Sequence, residues 1–397
     1  MRAVTQKGKQ GKMPKILFIT CIIVICIYVL YQRGHIPEIA MLSEGEGATL
    51  EFVRDIVALD VAKNQEFIVN QDQLIWITED GVKALSLEGE EIWADTHTIK
   101  KIAVAQRTPY FAISEKGGKV ISIFDTHGKK ADLKFANPVM YFSMNKRGDI
   151  VVIESTQDGH VISAFDQSGS SLGVKWVTYV EDVGHPTVAE ISPDGKVILI
   201  SHINTDDAQI VSNIIAIEIG SGGLSKVDNI LYGETYKNTI ISEIEFIDGN
   251  TWVAVGDNTM SFSKLDGTEI KKINDVYYNY VPLLERLVDW QGISYPVISS
   301  TKPIMSTIHP IETLAFFSRE AEENATFALE NATTYMYSDG KTAIIGSDRN
   351  FTAYNSFGKK RWEYTATKDI QKMIPLYPQQ KVIMISRGKV ELMQVAK

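Results

Sequence analysis

The residues of this chain that could do chemistry are scattered. Seven histidines, His35, His97, His127, His160, His185, His202 and His309, include no pair spaced i, i+2 or i, i+4. Those are the spacings that put two imidazoles on one face of a strand or helix around a metal. The histidines therefore read as polar residues of turns and strand edges, and no metal centre is expected. No Gly-x-Ser-x-Gly elbow occurs, and Gly220-Ser-Gly-Gly223 lacks the lysine and helix of a phosphate loop. Both cysteines, Cys21 and Cys26, lie in one apolar run. Beyond it there is no thiol for a nucleophile, a disulfide or a thiolate zinc site. The expectation is a protein that is not an enzyme and needs no cofactor.

Carboxylates and aromatics are more informative. Asp158, Asp206, Asp207 and Asp257 fall in turn-forming sequence, and the segment from His202 to Gln209 is longer than a hairpin needs. Tight turns use Asp and Asn for their own backbone reasons. The same residues, if brought to one side, would also form a face for a cation or a basic partner. Tyr277, Tyr278 and Trp290 open a divergent stretch, 277–331, where grouped aromatics either pack an irregular sheet or meet a partner. Within it, Ser318 to Leu329 is expected to form a short helix. The candidate partner-binding residues are thus Asp158, His202, Asp206, Asp207, Asp257, Tyr277, Tyr278 and Trp290.

The elements that must position these residues announce themselves by repetition. A short apolar strand, a polar-glycine turn and another strand recur, with the turn glycine at Gly89, Gly128, Gly169, Gly267 and Gly358. The first two gaps are about 40 residues and the later two about twice that, the period of a β-propeller. Apolar residues alternate over short segments such as Gln73–Thr78, Tyr110–Ser114 and Val382–Ser386, with scarcely any helical period, so the domain is all-β. Units fall near 66–97, 100–135, 137–180, 186–230, 240–276, 277–331, 333–366 and 368–397. Eight blades are favoured, and seven follow if the divergent stretch forms none. The last unit lacks an outer strand, and Glu51 to Asp60 is the segment placed to supply it, because an unclosed ring would expose sheet edges.

Ahead of the propeller, Ile16 to Tyr31 is an unbroken apolar run, preceded by Arg2, Lys7, Lys9, Lys12 and Lys15 and followed by Arg33. As a helix at about 1.5 Å per residue it would span roughly 24 Å, enough for an anchor if its ends snorkel. No small-x-small cleavage pattern follows it, which favours an uncleaved anchor over a signal peptide. Cations on the amino side put the amino terminus in the cytoplasm and the remainder outside. The expected organisation is a basic cytoplasmic tail (1–15), a transmembrane helix (16–31), a stalk (32–50) and a propeller domain (51–397). The expected location is the cell membrane, single-pass, with the propeller extracellular. Six of the 40 Lys and Arg and none of the 49 acids fall in the first 33 residues, leaving a net charge of −15 on the rest. Such a body is a poor nucleic-acid binder.

Leu87-Glu-Gly-Glu-Glu-Ile-Trp93 and Phe357-Gly-Lys-Lys-Arg-Trp362 resemble the blade signature of pyrroloquinoline-quinone-like propellers and of related outer-membrane-assembly propellers. The whole layout is similar to an uncharacterised family of single-pass membrane proteins of Gram-positive bacteria. The resemblance implies a WD-like propeller. It does not imply quinone binding, since the exterior part has no vicinal cysteine pair and only two units carry the docking tryptophan. The expected function is a tethered, non-enzymatic binding or scaffold module for an envelope protein or cell-surface component. The alternative is an extracellular glycan-acting hydrolase or lyase with its site at the propeller channel, which two or more close, buried carboxylates there would favour.

Overall fold

The computed structural model describes residues 47–397 apart from 61–63, 206–208, 221–228, 275–276, 281–286, 290–291, 301–311, 319–320, 330, 332, 339–341, 356–357 and 377–378. Its strands form eight antiparallel sheets. In chain order they are sheet I (65–96), II (102–134), III (139–179), IV (185–237), V (241–274), VI (277–328), VII (335–365) and VIII (370–396). In sheets I to V and VII four consecutive strands pair in sequence order. Sheet VI has five strands, so the divergent stretch forms a sheet of its own. Sheet VIII takes three strands from the chain's end, and Thr49–Ala58 completes it antiparallel to Lys389–Ala396, with Leu50 opposite Val395 and Asp55 opposite Glu391. The strand expected over 51–60 therefore closes the last sheet.

Eight apolar clusters bind the sheets, each made by two sheets that are consecutive in this order. One of them packs Ile56, Ile383 and Leu392 of sheet VIII on Phe67 and Leu74 of sheet I, so the sheets close into a ring. This is a β-propeller, and hydrophobic burial between neighbouring sheets is its main cohesive force.

The recurring glycines have a physical role in these seams. All five hold positive φ, 91° at Gly89, 119° at Gly128, 85° at Gly169, 86° at Gly267 and 70° at Gly358, where a side chain is strained. Each also lies under the outer strand of the preceding sheet. A Cβ on Gly89 would stand 2.4 Å from Ile56 O, one on Gly169 3.2 Å from Leu133, one on Gly267 2.8 Å from Tyr232 and one on Gly358 2.8 Å from Phe327. The docking tryptophans follow the same logic. Trp93 of sheet I stacks on Phe124 of sheet II at 5.8 Å and donates Nε1–H to Thr126 O at 3.1 Å.

Three expectations need correction. Among the described residues no helix forms from Ser318 to Leu329. Glu312–Ser318 and Glu323–Ala328 pair as a hairpin with Ala321 at φ 62°, because cross-strand pairing of Phe316 and Phe317 outweighs local helix propensity. Sheet IV does not end near 230, since its outer strand is Ile230–Lys237. The closing strand starts at Thr49, inside the segment assigned to the stalk. The basic tail, the apolar run 16–31 and the stalk up to residue 46 lie outside the described residues. Among those described, no helix is long and apolar enough to cross a membrane.

Candidate functional site

The first strands of sheets I to V, VII and VIII line a central channel of about 1370 Å³. Its lining mixes aliphatic residues such as Ile68, Val104 and Ile374 with charged ones, among them Glu66, Arg107, Glu190, Glu243, Glu245 and Lys372. Glu190 lies on His185–Ile191, Glu243 and Glu245 on Ile241–Phe246, and Arg107 ends Ile102–Arg107. Alternation puts Glu243 and Glu245, two residues apart, on one face of their strand. A bulge between Ile241 and Glu243 sets the register of that strand, and a matching one between Val139 and Tyr141 does so in sheet III.

On this side of the channel Arg107 Nη2 donates to Glu245 Oε2 at 2.6 Å, with both side chains about 10% exposed. Tyr141 donates its hydroxyl to Glu190 Oε1 at 3.4 Å. Burial raises the Glu190 carboxyl to about 8, opposed by Arg107 and reinforced by Glu245 and Glu243. At neutral pH Glu190 therefore holds a proton and can donate a hydrogen bond. Glu243 is raised by the same burial and lowered by Arg107, although its side chain is exposed to the lumen. The crowded, narrow lumen explains how a solvent-accessible carboxyl is still poorly hydrated. Burial also pushes the Tyr141 phenol well up, so it remains a donor. Toward the other end Lys372 Nζ pairs with Glu66 Oε1 at 2.5 Å, donates to Phe67 O at 2.7 Å, and sits 5.8 Å over the Tyr337 ring. Among the described residues no three His, Cys, Asp or Glu are placed to hold a metal ion. The arrangement can accept a polar or cationic group, donate a proton from Glu190, and exchange ion-pair partners at Arg107.

The residues singled out from sequence lie elsewhere. Asp158 is exposed at the turn between the second and third strands of sheet III, and its carbonyl accepts Val180 N–H at 3.3 Å. Asp257 is exposed at the matching turn of sheet V, where its carboxylate accepts Ile240 N–H at 3.0 Å. Both turns occur at the rim where one sheet leads into the next, whereas Arg107, Glu190 and Glu245 lie near the opposite ends of their strands. His202 corrects an expectation. It is a strand residue of Val197–Asn204 with no exposed surface, so it offers nothing to a partner on the surface. Asp206, Asp207 and Trp290 lie outside the described residues. Tyr277 and Tyr278 are in the first strand of sheet VI, opposite Ser300 and Ser299.

Sequence reasoning missed Arg107, Glu190, Glu243 and Glu245. The available signal was a carboxylate in an otherwise apolar strand, as in Val188-Ala-Glu-Ile191, and an i, i+2 pair in Ile241-Ser-Glu-Ile-Glu-Phe246. Three histidines that looked scattered, His160, His185 and His202, also come together between sheets III and IV.

The chain belongs to a family of unknown function (DUF5711), which matches residues 51–395. No curated protein matches it significantly in sequence. Its structure is similar to BamB from Moraxella catarrhalis, with 14% identity and a TM-score of 0.52, over 87% of this chain and 98% of that one. It is also similar to Sqt1 of Saccharomyces cerevisiae, with 9% identity and a TM-score of 0.56, over 87% of this chain and all of that one. At these identities the likeness shows the propeller fold alone.

Proposed function

We propose that the protein is an eight-bladed propeller, tethered to the cell membrane by Ile16 to Tyr31 and facing outward, that serves as a non-enzymatic binding or scaffold module for an envelope protein or cell-surface component. The observation that carries this reading is the closed ring around a channel in which three pairs of ionisable groups are engaged with one another, Arg107 with Glu245, Lys372 with Glu66 and Tyr141 with Glu190. Groups so engaged suit recognition, where pairs exchange partners, better than attack on a bond, which needs a disengaged nucleophile or base. The tether rests on the apolar run and the cations before it. The docking rim rests on the exposed turns of Asp158 and Asp257, to which Asp206 and Asp207 belong by their place in the repeat. Recovery of partners from crosslinked membranes tests the reading. Replacing the four aspartates by Asn keeps turn chemistry and should weaken capture at low salt. Unchanged capture, together with loss on substitution of Tyr277, Tyr278 and Trp290, moves the site to sheet VI. Protease added to intact protoplasts should digest the propeller, and protection would refute the outward topology.

One observation favours the glycan-acting enzyme as a second reading. A carboxyl held protonated beside carboxylates is what a general acid needs, and Glu190 is such a group. Cell-wall polysaccharide incubated with the protein should release no new reducing ends if the module only binds. Release that Glu190→Gln abolishes would establish the enzyme.

A further inference from the structure

Between sheets III and IV two contacts are made by imidazoles where other seams use hydrocarbon. Trp176, on the outer strand of sheet III, meets His202 of sheet IV edge-on with ring centroids 5.5 Å apart. His160 of sheet III meets His185 of sheet IV likewise at 5.6 Å. His202 and His160 are 0% and 3% exposed, and His185 is exposed at the edge of the cluster. Neither ring nitrogen of His202 has a hydrogen-bond partner, nor has His160 Nδ1, and Thr178 Oγ1, opposite His160 on the neighbouring strand, is buried and unpartnered too. A neutral imidazole always carries one N–H, so burying it without an acceptor destabilises the seam. The corresponding seam between sheets I and II packs Trp93 on Phe111 and Phe124, which cannot titrate. The cluster is not a metal cage, since among the described residues no three such ligands are placed to hold an ion.

We propose that His160, His185 and His202 form an acid-sensitive joint, in which protonation charges the buried seam between sheets III and IV and opens it locally. His185 begins the strand that carries Glu190, so opening the joint releases one wall of the channel.

The charged groups on the surrounding elements do not compensate an imidazolium there. On the sheet III side Asp158, Lys175, Glu181 and Asp182 are exposed, and Glu154 accepts from Asn137. On sheet IV Glu190 accepts from Tyr141 and Glu234 from Tyr232, while Glu218 and Lys237 lie on its outer strands. None of them bonds to His202 or to His160 Nδ1. Burial, and then His160, pushes His202 down to about 4, and burial, then His185, lowers His160. A histidine whose folded pKa is depressed stabilises the closed seam above its unfolded pKa, and that stability is lost as pH falls from about 6.5 toward about 4.

Hydrogen exchange of the full chain in detergent, at about pH 7 and about pH 5 and corrected for intrinsic exchange, tests this. From His202 alone the open population of Gly159–Phe165 and Val197–Asn204 should rise about 20-fold at the lower pH. Gln73–Thr78 and Tyr110–Glu115, at the seam between sheets I and II, should not change. His202→Phe, which keeps a ring against Trp176, should remove most of the rise. Equal protection at both pH values, an equal rise at both seams, or a full rise in His202→Phe overturns the proposal. If His202→Phe fails to fold, NMR titration of labelled histidines in the native chain decides. Two imidazoles titrating well below the usual range support the joint, and none doing so overturns it.

Discussion

The strand Thr49–Ala58 lets a quantitative test of ring closure be made with single side chains. Leu50 and Ile56 are 5% and 8% exposed, and they face different seams. Leu50 packs with Ala353, Trp362 and Met393 between sheets VII and VIII, whereas Ile56 packs with Phe67, Leu74 and Leu392 between sheets VIII and I. Truncating a buried Leu or Ile to Ala costs about 2–5 kcal/mol, the lost transfer energy plus the cavity left behind. Because the two sites share no cluster, the effects should add to within about 0.5 kcal/mol, giving about 4–10 kcal/mol for the double variant. Phe52 on the same strand is 56% exposed and rests near Lys389 Nζ, 5.5 Å from its ring, so Phe52→Ala should stay within about 0.5 kcal/mol. Urea unfolding of the full chain in detergent, followed by tryptophan fluorescence, reads all four proteins. Losses below about 1 kcal/mol for both Leu50→Ala and Ile56→Ala, with an unchanged denaturant slope, would show that closure does not depend on this strand.

Deleting 51–60 should broaden unfolding as well as weaken it, while deleting 36–46 should change neither, as the same urea curves would show. Gly89→Ala should destabilise by at least about 1–3 kcal/mol in that assay, since it puts a Cβ at φ 91° and 2.4 Å from Ile56 O. Arg107→Ala should cost about 3–5 kcal/mol by stranding buried Glu245, and Arg107→Met with Glu245→Leu should recover most of it. Glu190 is raised, so its contribution is present below the usual glutamate pKa and is lost as pH rises through about 8. Glu190→Gln should therefore be the more stable protein above about pH 7 and differ least near pH 4, and equal melting temperatures across that range would contradict the assignment.

The sequence by itself determined the repeat, the all-β class and the closing strand, because these rest on local signals. The middle strands of each sheet are covered on both faces, so Ile150–Ser155 and Thr251–Gly256 carry continuous apolar runs, 150–153 and 252–255, and are easily recognised. The turn glycines were legible because positive φ is a demand of their own backbone. Outer strands such as Glu91–Thr96 and Ser171–Tyr179 gave no such signal, since half their residues face water. The hairpin at 312–328 was misjudged as part helix because its pairing is decided by partners across the sheet. Only the tertiary structure decided what the channel carries. Arg107 and Glu245 are 138 residues apart, and His160 and His202 meet across two sheets. Closing a ring brings together residues at equal depth, in successive sheets and across the channel, and that depth depends on bulges and strand register that the spacing along the chain does not encode.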